Sequence, residues 1–267
     1  MTNYQDQITV CLWTHIINAG TDNPYLKNDM LIETIRSVKE DIKLDKVKYE
    51  IYCDNAMKVQ YPELAKIYLN NIKNMLVEHG LDDLNIEIVE NTGTTLRGNW
   101  ECAVNRIQTP YILFLEHDWK FIYPLDFKKI TNTLNKYKEI SYLKFNRWPL
   151  DGRPYPSHTH WEWRFEPETS FTESEIPLSK CSFFSGNPHI MRVEAIKNFY
   201  LPELNKRVPL EKSIGKSFLE RDIKPITEQD IKKWGHDEAL KLWGTYMYGS
   251  TPHPSVVEHT GDWCRKK

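Results

Sequence analysis

Residues 111–118 read YILFLEHD: five apolar or aromatic side chains in a row, closed by a glutamate, a histidine and an aspartate. A short continuous apolar run rich in β-formers is the pattern of a strand covered on both faces, as in a parallel sheet. Pro110 stands just before the run and ends the helix that precedes it. The acids therefore fall where a buried strand stops. Two carboxylates flanking one residue at such a place are costly unless a cation or positive side chains meet them. Hard oxygen ligands suit Mg2+ or Mn2+, which commonly bind through one or two carboxylates plus substrate phosphates. Taken alone, the motif also reads as a solvated turn with two incidental acids, because acidic residues often end strands. Its surroundings have to decide.

Towards the N-terminus the same strand pattern recurs three times, at Ile8–Thr14 (ITVCLWT), Tyr49–Cys53 (YEIYC) and Asn85–Val89 (NIEIV). Helical patterns lie between them. Asn28 or Asp29 caps a helix whose apolar face includes Met30, Leu31, Ile35 and Val38. Pro62 suits the first turn of a helix through about Glu78, with Leu64, Ile67, Tyr68, Ile72, Met75 and Leu76 at helical spacing. Thr94 or Thr95 caps a third, through about Gln108. Strands alternating with helices predict an α/β fold: a central, mostly parallel, Rossmann-like sheet flanked by helices. In such sheets ligands sit beyond the C-terminal strand ends. That rule brings Thr14-His15, Asp54-Asn55, Glu90-Asn91 and Glu116-His117-Asp118 to one crevice.

Beyond Asp118 the pattern is less regular. Leu125–Tyr137 reads as a helix and Ser141–Phe145 as a strand. From about Asn146 to Lys180 the chain is rich in Pro, Trp, His and Glu without a period, and loops of that length are usually functional or disordered. The Trp161-Glu162-Trp163 cluster favours an ordered or gating loop. A strand-like Cys181–Ser185, a Gly186-Asn187-Pro188 turn and a short helix from Val193 follow. Helical segments are expected around Pro209–Glu220 and Ile226–Leu242. No repeat or linker divides the chain, so residues 1–267 are expected to form one domain. Its halves, about 5–122 and about 123–267, abut one another.

A net charge of −2 gives no basic face for a phosphate backbone, so nucleic acid is not an expected partner. Five singly scattered cysteines, Cys11, Cys53, Cys102, Cys181 and Cys264, argue against a disulfide framework or a thiolate zinc site. The one compositional departure is aromatic: nine Trp, fourteen Tyr and ten Phe. Those rings suit a large core or a sugar-binding cleft, since an aromatic face packs against a pyranose. The short apolar run Ile8–Trp13 cannot serve as a signal-peptide core or a membrane span. A cytoplasmic protein is expected, with peripheral membrane contact compatible.

The order strand, Asp54, strand, Gly93…Arg97-Gly98-Asn99, helix, apolar strand, Glu-His-Asp resembles the GT-A glycosyltransferases, particularly their family-2-like branch. The resemblance covers roughly residues 5 to 120 by order of elements and the remainder through three short motifs. It implies sugar transfer from a nucleotide-diphosphate donor to an acceptor hydroxyl of a glycan or glycoconjugate, with Mn2+ or Mg2+ as cofactor. In that family an Asp-x-Asp motif after the fourth strand holds the metal and the donor diphosphate. Here Glu116 stands for the first acid, leaving open whether it meets metal, ribose or neither, while Asp118 matches the direct ligand. Thr14, His15, Asp54, Arg97, Asn99, Glu116, His117 and Asp118 would border the donor. Late in the chain, Val256-Val257-Glu258-His259-Thr260-Gly261 resembles the family's segment whose histidine completes the metal site, so Asp118, Glu116 and His259 are the implied ligands. Gly186 and Asn187, in the turn facing the acceptor, would join Trp161 and Trp163 in the acceptor site. An inverting transfer needs a carboxylate base. Glu211 is the first choice, with Glu220, Asp222, Asp237 and Glu238 competing.

Two alternatives stand beside this reading. A nucleotidyltransferase on the same fold would favour a Gly- and Lys/Arg-rich loop after the first strand, and His15 to Asn28 holds one Gly and one Lys. A non-catalytic carbohydrate-binding protein would use the aromatics as its platform. No GxGxxG, Walker or HExxH motif is present.

Overall fold

The structure, a computed structural model, describes residues 3–14, 28–53, 62–89, 96–151, 167–181, 186–203 and 244–260. Four strands and three helices form the first part in the expected order. They are β1 (Ile8–Thr14), α1 (Asn28–Glu40), β2 (Lys48–Cys53), α2 (Pro62–Glu78), β3 (Ile86–Val89), α3 (Leu96–Arg106) and β4 (Tyr111–Glu116). Strands β3, β2, β1 and β4 lie side by side and all pair in parallel. Every residue of β1 is buried, because strands flank it on both sides and helices cover both faces. On one face Val10, Leu12, Ile51, Leu113 and Leu115 pack against Leu31, Ile35 and Val38 of α1 and Tyr68, Leu69 and Ile72 of α2. On the other face Cys11, Trp13, Tyr52, Ile112 and Phe114 pack against Trp100, Ala103 and Val104 of α3. Burying each such aliphatic side chain contributes roughly 1.5–3 kcal/mol, which suffices to hold these short strands in register.

The chain continues through β5 (Trp119–Phe121), α4 (Phe127–Lys136), β6 (Tyr142–Lys144), β7 (Leu178–Lys180) and β8 (His189–Arg192). A helical run Val193–Ala195, Ile196–Tyr200 and Leu201–Glu203 follows, its middle part a π-turn, and then come β9 (Thr245–Tyr248) and β10 (Val257–His259). Four of these strands extend the first sheet to eight, in the order β3-β2-β1-β4-β8-β6-β9-β7. The added pairs β4/β8, β6/β8 and β7/β9 are antiparallel, and β6/β9 is parallel. Strands β5 and β10 form a separate antiparallel pair. Helix α4 begins where Asp126 accepts the N–H of Lys129 at 3.1 Å, an N-cap that satisfies one orphan donor. It ends against Arg192, whose guanidinium donates to the carbonyls of Leu134, Tyr137 and Ile140 and to Tyr111 Oη. Among the described residues no helix is long and apolar enough to cross a membrane.

In the second half the structure holds strands that the sequence did not indicate. One is Leu178–Lys180, where Ser179 Oγ donates to Gly249 O at 2.7 Å and the backbone pairs with β9; the strand expected at Cys181–Ser185 lies, from residue 182 on, outside the described residues. The Gly186-Asn187-Pro188 turn leads into a strand, β8, before the helix at Val193 begins. The helices expected around 209–220 and 226–242 lie outside the described residues.

Candidate functional site

Strand β4 ends where the sequence motif begins. His117 N–H bonds Trp13 O at 2.8 Å, carrying the ladder one residue past the strand. The chain then reverses at Asp118 and returns as β5 against β10, with Trp119 opposite His259 and Phe121 opposite Val257. Thr260 N–H closes this ladder on Asp118 O at 2.7 Å. These backbone bonds bring His259 Nε2 to 3.0 Å from Asp118 Oδ2. Each of the two side chains keeps 16% of its surface exposed. The other carboxylate oxygen, Asp118 Oδ1, is buried with no hydrogen-bond partner.

Burial pushes the Asp118 carboxyl up, but the hydrogen bond from His259 and the neighbouring imidazoles of His117 and His259 outweigh it. The net result lies below the usual carboxylate range. Asp118 is therefore an anion at neutral pH. His259 meets Trp119 edge-on, ring centroids 4.9 Å apart. The guanidinium of Arg147 lies 5.6 Å from the Trp119 ring centre and 4.9 Å from that of Trp148.

The other residues marked by the sequence divide into three groups. Asn99, in the first turns of α3, is buried, and its Oδ1 has no hydrogen-bond partner. Glu116 is the last residue of β4, opposite Trp13 in register, and shares the α3 face with Ile112 and Phe114. Gly186 and Asn187 lead into β8, where Asn187 O accepts the Nδ1–H of His189 at 2.7 Å. A second group is turned into the core. Thr14 is buried, with its hydroxyl bonded to Tyr68 Oη. His117 is fully buried, with its carbonyl accepting Thr34 Oγ1 at 2.9 Å, so its side chain offers a donor no surface. Finally, His15, Asp54, Trp161, Trp163, Glu211 and the side chain of Arg97 lie outside the described residues.

Of the three residues expected to share an ion, Asp118 and His259 touch. Among the described residues no group of three His, Cys, Asp or Glu side chains is arranged around a common point. The pair still suits a hard divalent ion. One anionic oxygen lacks any other partner, an imidazole stands beside it, and the remaining positions fall to phosphate oxygens and water. Sequence reasoning passed over Trp119 and Arg147, and met the fully buried His189 only as the last residue of the turn Ser185-Gly186-Asn187-Pro188-His189. The adjacent Arg147-Trp148 was the legible signal for the second of these, since guanidinium and indole stack readily.

No protein-family model matches the sequence, and no curated protein matches it significantly. Solved structures do resemble it. GalNAc-T7 with UDP, GalNAc and Mn2+ superposes with a TM-score of 0.53 at 11% identity, over 95% of this chain and 43% of that one. TarS of S. aureus (residues 1–349), in complex with UDP-GlcNAc, gives 0.45 at 14% identity, over 96% and 58%. A 4-diphosphocytidyl-2C-methyl-D-erythritol synthase from Anaerococcus prevotii gives 0.40 at 11%, over 95% and 93%. The chain spans less than two thirds of the length of either glycosyltransferase. Sheet order, helices on both faces and the likeness to GalNAc-T7 define an α/β protein with the GT-A-type fold.

Proposed function

We propose that this chain is a divalent-metal-dependent glycosyltransferase that moves a sugar from a nucleotide-diphosphate donor to an acceptor hydroxyl of a glycan or glycoconjugate. One observation carries the reading: a partly buried, ionised Asp118 sits at the C-terminal end of a central strand, with Oδ2 on His259 and a buried Oδ1 without a hydrogen-bond partner. A buried carboxylate oxygen left unpaired costs about 1–3 kcal/mol or more, which a cation on Oδ1 would offset. Asp118 and His259 would hold Mn2+ or Mg2+ there. Bound, the ion supplies charge stabilisation for the departing nucleotide diphosphate.

The chain's own residues do the rest. His259 fixes one carboxylate oxygen of Asp118, so the other is aimed by the β5–β10 pairing and not by a flexible rotamer. Asn99 presents a buried amide oxygen at the start of α3, where Arg97 would place a guanidinium for a phosphate. Glu116, Asp54 and His15 complete the donor side of the reading, and Gly186, Asn187, Trp161 and Trp163 the acceptor side. Glu211 is proposed as the base that takes the proton from the attacking hydroxyl.

Thermal denaturation with UDP, GDP or dTDP, each with and without Mn2+, tests the proposal. Ligand at a hundred times its dissociation constant stabilises by about 2.7 kcal/mol, or roughly 5 °C for a chain of this size. One nucleotide diphosphate should give that shift only when Mn2+ is present, and Asp118→Asn should abolish it while keeping the metal-free melting temperature. An equal shift in Asp118→Asn removes the basis of the proposal. A nucleoside triphosphate that stabilises where every diphosphate fails would point instead to nucleotidyl transfer.

A further inference from the structure

Strands β5 and β10 pair Lys120 with Glu258 and Trp119 with His259, and the next residues along, Asp118 and Thr260, continue that register. Their backbones are joined by the 2.7 Å bond from Thr260 N–H to Asp118 O. An equivalent bond closes the far end of the ribbon, from Ile122 N–H to Val256 O at 2.9 Å. Residues opposite one another in an antiparallel pair put their side chains on one face, with Cβ atoms about 4.5–5.5 Å apart. The two preceding pairs obey that rule: Trp119 meets His259 at 4.9 Å between ring centres, and Lys120 Nζ meets Glu258 Oε2 at 3.4 Å. Thr260 is therefore the residue set directly across from Asp118. Its hydroxyl oxygen, like Asp118 Oδ1, is buried with no hydrogen-bond partner. Buried hydroxyls elsewhere are satisfied: Thr34 Oγ1 donates to His117 O at 2.9 Å, Thr131 Oγ1 to Phe127 O at 2.9 Å and Ser179 Oγ to Gly249 O at 2.7 Å. Among the described residues Thr260 is the one Ser or Thr whose buried hydroxyl makes no such bond.

We propose that Thr260 Oγ1 is a further oxygen ligand for the divalent cation at Asp118 Oδ1. The inference rests on the metal-dependent reading of that site and adds a residue to it. A buried hydroxyl and a buried carboxylate oxygen are each costly without a partner, and here both belong to one opposed pair. A hydroxyl can donate to a carboxylate, yet these two oxygens make no bond to each other. A cation taken up by both satisfies both at once. Hard divalent ions accept neutral oxygen ligands beside carboxylates, and a Ser or Thr hydroxyl on Mg2+ is how nucleotide-binding P-loops hold their ion. The threonine hydroxyl keeps its proton as a ligand, so it adds no charge to the site, and the O–H can donate onward to a phosphate oxygen. His259 and Thr260, adjacent in the chain, then hold different parts of Asp118: the imidazole engages Oδ2 and the backbone N–H of Thr260 engages the carbonyl.

Binding of Mn2+ to the full chain is read from loss of the free-ion electron paramagnetic resonance signal, with the metal alone and with UDP, GDP or dTDP. The unmodified protein should take up the ion in at least one of these conditions. There Thr260→Val, which keeps the shape and removes the hydroxyl, should weaken binding at least about tenfold, since even groups one step removed from a metal ligand contribute that much. Thr260→Ser should restore it. Without metal, Thr260→Val should melt at or above the temperature of the unmodified protein, because no hydrogen bond is lost. A hydroxyl with a structural role would lower that temperature. Unchanged Mn2+ affinity in Thr260→Val overturns the proposal, as does a lowered metal-free melting temperature or a failure to fold. So does an equal loss of nucleotide binding measured without Mn2+, which would put the hydroxyl on the diphosphate. Asp118→Asn separates this failure from that of the wider reading: if it loses Mn2+ while Thr260→Val keeps it, the metal site stands without Thr260. If the unmodified protein takes up no Mn2+ in any condition, both fall.

Discussion

Lowering the pH from 7 to 5 should destabilise this protein through His189 in particular. The imidazole is fully buried in β8, stacked on Phe114 at 4.8 Å and tilted against Tyr142 at 4.7 Å, and its Nδ1–H is engaged by Asn187 O at 2.7 Å. Burial opposes the charged form, and nearby Lys144 opposes it further, although the Asn187 carbonyl favours it; the histidine is held down at about 3. In the unfolded chain it returns to about 6.5. Below that value the unfolded state takes up a proton that the native state refuses, so stability falls as pH falls, with a slope approaching about 1.36 kcal/mol per unit. The loss spans the window from about 6.5 down to about 3. At pH 5, roughly 1.5 units into the window, it is about 2 kcal/mol, or about 4 °C in melting temperature.

His189→Phe keeps the ring stack and removes the titration. At pH 7 it should be less stable than the unmodified protein by about 1–2 kcal/mol, because the Asn187 carbonyl loses its donor. At pH 5 the gap should close by about 2 kcal/mol. Melting curves of both proteins at the two pH values measure this directly, and other groups that titrate in the range cancel in the difference. Parallel losses in the two proteins would refute the reasoning, since they would mean that His189 takes up its proton in the native state as well.

Three further outcomes are expected. Arg192→Ala should cost about 2–3 kcal/mol, because the carbonyls of Leu134, Tyr137 and Ile140 lose a charged donor at the end of α4; Arg192→Lys should recover part of it in denaturant titrations. Glu50 is fully buried in β2 between Lys48 Nζ at 2.5 Å and Arg106 Nε at 3.9 Å, and accepts Tyr52 Oη. Glu50→Gln should cost about 3 kcal/mol in urea unfolding, and an unchanged midpoint would show that the carboxylate contributes nothing. Gly244→Ala should abolish soluble folded protein or cost well over 3 kcal/mol, since φ is +59° and a Cβ there would run into the Glu139 carbonyl. Gly80→Ala, at φ +64° with open space around it, should cost only about 1–2 kcal/mol; comparable losses in the two would contradict the steric account.

The first three βα units and the fourth strand were legible because their signals are local. Helix α2 runs from Pro62 to Glu78 as its periodicity and N-terminal proline indicate, and β1 to β4 fall within one residue of their apolar runs. The α/β class and the mostly parallel sheet followed from that alternation. Most of the short strands in the second half are another matter. Trp119–Phe121, Thr245–Tyr248 and Val257–His259 are too short to show a period, and His189–Arg192 reads equally well as the approach to a helix. The site divides along the same line. Asp118 and His259 could each be singled out by residue type and neighbours, but His117 in the same motif is fully buried, which a strand's last turn does not announce.

By itself the sequence determined which segments are strands and helices in the first half, and that acids end the fourth strand at the sheet's C-terminal edge. Only the tertiary structure decided where β8 inserts beside β4, that β5 pairs with β10, and that His259 consequently stands 3.0 Å from Asp118. The reason is physical. Apolar periodicity and capping act between residues a few positions apart and are written in the chain. Strand pairing joins residues far apart in sequence through uniform backbone hydrogen bonds, and these leave no mark on the residues that make them.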